Sequence, residues 1–192
     1  MEVTSQMIQE AFRGGRAATA VLLGSHWLRA NPDDFFTVLS CAEILYLTNQ
    51  YEDAIRVYES ALVQFEERHW AIFNQMGRMY EHWGRAADAE PWFQKAIDID
   101  PDDWASYNLL GECQTRQGKL KEAEVTYRAW LKREESWQTY YQLGLVLRNQ
   151  RFLAEAAVCF RKSIEIKATN TVAVDALADV EQAMVLAKAG LD

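Results

Sequence analysis

Five alanines, Ala20, Ala54, Ala89, Ala123 and Ala156, lie 34, 35, 34 and 33 residues apart. A recurrence in the thirties divides a chain into units that bury their apolar faces only by stacking on one another. Each alanine belongs to a frame. Four residues later stand Gly24, Tyr58, Phe93, Tyr127 and Phe160, and eight later Leu28, Leu62, Ile97, Leu131 and Ile164. Twelve residues before the last four alanines come Ala42, Gly77, Gly111 and Gly144, with Ile8 at the corresponding place in the first unit. Phe73, Met76, Gly77 and Tyr80 are spaced by three and four, as are Ala89, Phe93, Ala96 and Ile97, and Gly84 separates the two sets. This is the spacing of two amphipathic helices joined by a turn. Glycine in mid-helix costs about 0.5–1 kcal/mol relative to alanine. Its repetition predicts a close approach of the two helix backbones, with the aromatic residues filling the wider gaps to the next unit.

Trp104-Ala105-Ser106-Tyr107-Asn108-Leu109-Leu110-Gly111 followed by Gly118-Lys119-Leu120-Lys121-Glu122-Ala123 resembles the tetratricopeptide repeat. So does the run Phe73, Gly77, Tyr80, Gly84, Ala89, Phe93, Ala96 and Pro101. The resemblance covers nearly the whole chain and implies an all-α fold, a right-handed superhelical solenoid of helix–turn–helix units. The expected units are 1–34, 35–69, 70–103, 104–136 and 137–170 in a single domain, with Pro32 and Pro101 stopping helices. A capping helix is expected over 171–189. Its stripe is Ala173, Leu177, Val180, Met184, Ala187 and Leu191, set against a solvating polar face.

Net charge is −8, which argues against nucleic acid and against an anionic membrane surface. The start at Met1-Glu2-Val3-Thr4 lacks the basic residues of a signal peptide, and Ala17–Leu23 is too short an apolar run to span a bilayer. Cys41, Cys113 and Cys159 are odd in number and scattered, which suits apolar filling in a reducing cytoplasmic setting rather than a disulfide or metal framework. No catalytic, phosphate-binding or metal-binding motif is present, and no cofactor is implied. Asp98, Asp100, Asp102 and Asp103 are acidic neighbours, but the residues an EF-hand loop needs are missing. Asp102 or Asp103 is expected to cap the helix opening at Trp104.

In the family, first helices line a concave groove. Carried onto this chain, the groove holds Phe36, Leu39, Glu43, Tyr46 and Leu47, then Ala71, Asn74, Arg78, Glu81 and His82. It continues with Ala105, Asn108, Glu112, Thr115 and Arg116, then Gln138, Tyr141, Leu145, Arg148 and Asn149. Asparagine can donate to and accept from a peptide backbone, and arginine can fork onto a carboxylate. The expected ligand is therefore a peptide or helix, with an acidic or C-terminal peptide as one form of it. Glu43, Glu81 and Glu112 could instead neutralise the arginines. The heat-shock co-chaperone clamp does not fit, because its positions hold Leu39, Glu43, Gln75, Ala105 and Leu109. Shifted by one unit they hold Asn74, Arg78, Leu109, Gln138 and Gln142.

Trp70, Trp104 and Trp137 open three units, and a ladder along one edge is expected. Trp27 and Trp130 replace a small residue, Trp27 offset by Gly24. The unit of Trp130 is one residue short and lacks the late proline, so altered packing between units four and five is expected. The leading functional expectation is a non-enzymatic interaction module that binds a peptide or helix. The alternatives are a chaperone for a dedicated client, of the secretion type, and a self-assembling scaffold. In the scaffold, the first unit (with Gly14-Gly15) or the C-terminal helix would meet a second copy.

Overall fold

The computed structural model describes residues 5–31, 34–65 and 69–189. Met1–Thr4, Pro32, Leu191 and the Leu28 side chain, all used above, lie outside the described residues. Eleven helices and no strand occur among the described residues. They pair as hairpins: α1 (Ser5–Arg13) with α2 (Ala17–Ala30), α3 (Phe35–Leu47) with α4 (Tyr51–Gln64), and α5 (His69–His82) with α6 (Ala86–Ile99). Then follow α7 (Trp104–Arg116) with α8 (Leu120–Leu131), α9 (Trp137–Asn149) with α10 (Leu153–Ile166), and α11 (Thr171–Lys188).

One turn is used five times. Its central residue has positive φ at Gly15 (72°), Asn49 (63°), Gly84 (77°), Gly118 (75°) and Arg151 (67°). The next amide donates to the carbonyl five residues back, 2.9 Å in every case, from Arg16 to Ala11 through Phe152 to Leu147. This left-handed closure satisfies the last carbonyls of the first helix. The second helices then begin with no side-chain cap. Three first helices reached through longer connections, α3, α7 and α9, are capped by side chains instead. Asp34 accepts from Thr37 N–H, Asp103 from Ala105 and Ser106 N–H, and Ser136 from Thr139 N–H.

The five repeating alanines are all 0% exposed. The repeating glycines correct the expectation of backbone crossing. A β carbon on Gly111 would lie 2.5 Å from Tyr127 Cζ, and one on Gly144 2.6 Å from Phe160 Cε1; Gly77 faces Phe93 in the same way. The glycine therefore makes a flat seat for the aromatic ring of its own unit. In the first hairpin the sizes are exchanged. Ile8 is buried, and the space opposite Gly24 is taken by Cys41 of the next hairpin rather than by Trp27. The Trp27 indole N–H donates to Asp34, 2.7 Å.

The helices group into two compact units, Met1–Pro101 and Asp102–Asp192. The first is built on Val38, Leu45, Tyr58, Ile72, Met76 and Met79. The second is built on Leu143, Val146, Leu147, Phe160, Ala176 and Val180. Three buried polar side chains of the second unit are paired: Thr126 donates to Gln114 at 2.8 Å, Ser163 to the Trp137 carbonyl at 2.7 Å, and Asn170 to Ser163 at 2.9 Å, whereas the buried Trp130 indole N–H has no partner among the described residues. No ring pair joins Trp104 to Trp137 among the described residues. The Trp104 indole N–H instead donates to Thr139, and Lys167 lies 4.0 Å over the Trp137 ring. Trp130 is buried against Tyr107, with ring centroids 5.3 Å apart, and α8 has 12 residues where α10 has 14. On α11, Ala173 and Val180 face inward and Leu177 and Met184 pack against the core, whereas Ala187, expected in the same stripe, is exposed.

Candidate peptide-binding faces

The helical stripe on α3 and α5 converges on one cluster in the first unit. Tyr46 is 3% exposed and Asn74 is 5% exposed, so both stand behind the surface rather than on it. Tyr46 lies 5.4 Å from the exposed His82 ring, whose Nδ1 is 3.2 Å from the Tyr51 hydroxyl. Arg78 reaches Glu43 at a loose 3.8 Å and donates to Gln75 at 3.3 Å, with its side chain partly exposed. Burial pushes the Tyr46 and Tyr58 hydroxyls up in pKa, and Tyr58 Oη has no hydrogen-bond partner among the described residues. At the start of α3, Phe36 is 72% exposed with its ring edge-on to Phe35, while Leu39 is half-buried against the core.

In the second unit, α7 and α9 face each other across a cavity of about 330 Å3. Its walls include Glu112, Arg116, Gln142 and Arg148, and its floor includes Tyr127 and Leu145. Glu112 is the organising group: Asn108 donates to it at 2.9 Å and Gln142 at 3.0 Å. The carboxylate thus fixes two amide side chains and leaves their carbonyl oxygens available. Burial raises the pKa of the Tyr127 phenol, with Glu112 adding to the shift, so the ring stays neutral. Tyr141 packs on Phe160 at 5.9 Å and serves the core as much as the face.

Sequence reasoning missed an aromatic row in the first unit. Tyr51 stacks on Trp83 at 4.5 Å and 8°, and Tyr80 stacks on Trp92 at 6.2 Å and 9°. Arg85 lies 4.8 Å over Trp83, and Lys95 4.0 Å over Trp92. The i, i+3 spacing of Tyr80 and Trp83 was the available signal. The cysteines behave as apolar filler: all three are buried, and burial pushes the Cys41 and Cys159 thiols up to about 11. Asp103 caps α7, while Asp102 pairs with Arg133 at 2.6 Å. Among the described residues, no helix is long and apolar enough to cross a membrane.

Paired helices, a repeating glycine–aromatic seat and polar first-helix faces define a helical-repeat protein. Tetratricopeptide repeat models match residues 42–103, 84–145 and 138–170, and the chain belongs to that family. It is 25% identical over 171 residues, 84% of this chain, to human tetratricopeptide repeat protein 7A, and covers 20% of that protein. It is 34% identical over 80 residues, 38% of this chain, to the photosystem I assembly protein Ycf3 of Synechococcus, and covers 46% of it. The chain thus spans less than half the length of either relative. The fold resembles the crystal structure of YrrB, a tetratricopeptide protein with an unusual peptide-binding site. There the TM-score is 0.62 at 17% identity, over 89% of this chain and 88% of that one. It also resembles the first repeat domain of RPAP3 (Spaghetti) bound to an HSP90 peptide. That TM-score is 0.58 at 20% identity, over 62% of this chain and 95% of that one.

Proposed function

We propose that this chain is a non-catalytic protein-interaction module that holds a peptide or helix against its first-helix faces. The observation that carries the reading is the cavity between α7 and α9. It combines an apolar floor with amides pre-oriented by Glu112 and with Arg116 and Arg148 on its wall. Such a site can match an extended backbone through its amide carbonyls and a ligand carboxylate through its guanidiniums. The cluster of Arg78, Glu43 and His82 offers similar chemistry in the first unit. That YrrB and RPAP3 bind peptides supports the reading. The name of the Synechococcus relative, an assembly protein, gives some support to the client-holding alternative.

The test is a fluorescence-polarisation titration of a labelled peptide library, acidic sequences included, against the parent chain, Arg78→Ala and Arg116→Ala. Loss of a charge-assisted hydrogen bond, about 1.5–3 kcal/mol, should weaken acidic peptides by roughly tenfold or more. Unchanged affinity in both variants removes the arginines from the site. Absence of any peptide binding overturns the reading. Self-association has its own observation, the exposed Val172, Val174 and Val185 on α11. Light scattering over a concentration range separates a scaffold from a monomeric binder.

A further inference from the structure

We propose that the end of α9 and the capping helix α11 form an oxyanion-binding site, built around Arg148 and Arg151. It goes beyond the first-helix reading, because the cavity concerned lies on the α11 side of Arg148. Two independent observations meet there. The first is the turn. Four of the five left-handed turn positions hold Gly15, Asn49, Gly84 and Gly118, residue types that adopt this geometry at little cost. The fifth holds Arg151 at φ 67°. Glycine satisfies the same turn elsewhere in this chain, so the strain at Arg151 is not required by the fold. Strain of this kind persists where a side chain has a task.

The second observation is pairing. Arg56, Arg78, Arg85, Arg128, Arg133 and Arg161 each have a carboxylate within 4.0 Å. Arg148 and Arg151 have none among the described residues, in a chain with 28 acidic residues against 20 basic ones. Both line one cavity of about 440 Å3, together with Asn149, Asp179 and Val180. Two guanidiniums and an amide supply forked donors, and the single wall carboxylate of Asp179 leaves the cavity net positive. The ligand chemistry this fits is a doubly charged oxyanion, either a phosphoryl group or two closely spaced carboxylates.

The experiment follows the arginine Nε–Hε signals by NMR while the chain is titrated with inorganic phosphate and, separately, with succinate. Saturable shifts confined to Arg148 and Arg151, with Arg56 and Arg85 as internal controls, are expected with at least one anion. Saturation with phosphate alone identifies a phosphoryl site, with succinate alone a paired-carboxylate site, and with both a site open to either. R151G separates binding from folding: glycine fits the turn, so Tm should hold or rise while anion affinity falls at least about tenfold. D179N should tighten binding. Linear shifts shared by all arginines with both anions, or full affinity in R151G, overturn the proposal. Neither result depends on the peptide titration of Arg78→Ala and Arg116→Ala, so the two readings fail separately.

Discussion

The hairpins α1–α2 and α9–α10 solve one packing problem with opposite residues. In α9–α10 the first helix supplies Gly144 and the second supplies Phe160, whose ring covers the glycine. In α1–α2 the first helix supplies the bulky Ile8 and the second supplies Gly24, which leaves room for Cys41 of the following hairpin. The repeating quantity is therefore a sum of sizes rather than a residue type, and in the first hairpin part of that sum is contributed by a neighbour. Interiors packed to crystal-like density respond to a single methylene, so the two hairpins should respond differently to the same substitution.

The largest effect is expected from removing the ring. Phe160 is wholly buried, and Phe160→Ala should destabilise by about 3–5 kcal/mol in denaturant unfolding. A cost below 1 kcal/mol would mean the ring is not the keystone of its hairpin. Next comes filling the seat. Gly144→Ala places a methyl into the Phe160 ring and should cost about 1–3 kcal/mol through overpacking, even though alanine is the better helix former. Gly24→Ala meets only the end of the Cys41 side chain, which can turn away, so it should cost less. Combining it with Cys41→Ala should recover about 0.5 kcal/mol or more of coupling. Equal costs at Gly144 and Gly24, with no coupling to Cys41, would break the contrast between the hairpins.

The contrast also explains what could be read from the chain. The alanines were legible because a helix–helix contact that admits no side chain beyond a β carbon repeats at each unit. The glycines were legible as small, but not as seats for Phe93, Tyr127 and Phe160, because a sequence gives the size of a residue and not its partner. Tyr46 and Asn74 were expected on the groove stripe, yet both are buried. Helical periodicity gives direction around the axis and says little about depth below the surface. Arg151 was not legible as a turn at all, since the signal sought there is glycine. A cap at Asp102 or Asp103 was legible, because an acceptor side chain just before an amphipathic run has few other uses, and Asp103 is the one that caps.

Smaller effects separate capped helices from uncapped ones. The Asp103 side chain caps α7 and accepts two backbone amides, so Asp103→Ala should cost about 1 kcal/mol. Replacing Lys119 by alanine at the start of α8 should change stability by no more than about 0.5 kcal/mol, since no side-chain cap is lost there. A cost at Lys119 equal to that at Asp103 would show that the backbone closure at Gly118 does not replace a cap.

The smallest effect is the pH dependence of the cap at Asp34. Burial alone would raise the Asp34 pKa, but hydrogen bonds from the Thr37 hydroxyl, the Trp27 indole and the amides of Thr37 and Phe36 outweigh it and hold the carboxyl below its usual value. A depressed folded pKa means that the unfolded chain takes up the proton first. The stabilisation is then complete above the unfolded value near 3.9 and is lost as pH falls through the folded one. Between about pH 5 and pH 3, urea titrations should therefore show a declining limb that is shallower in Asp34→Asn. Trp27→Phe removes one of the donors holding the carboxylate and should flatten the same limb in part, linking α2 to the cap of α3. An acid limb unchanged in both variants would mean that the Asp34 carboxylate does not couple the first hairpin to the second.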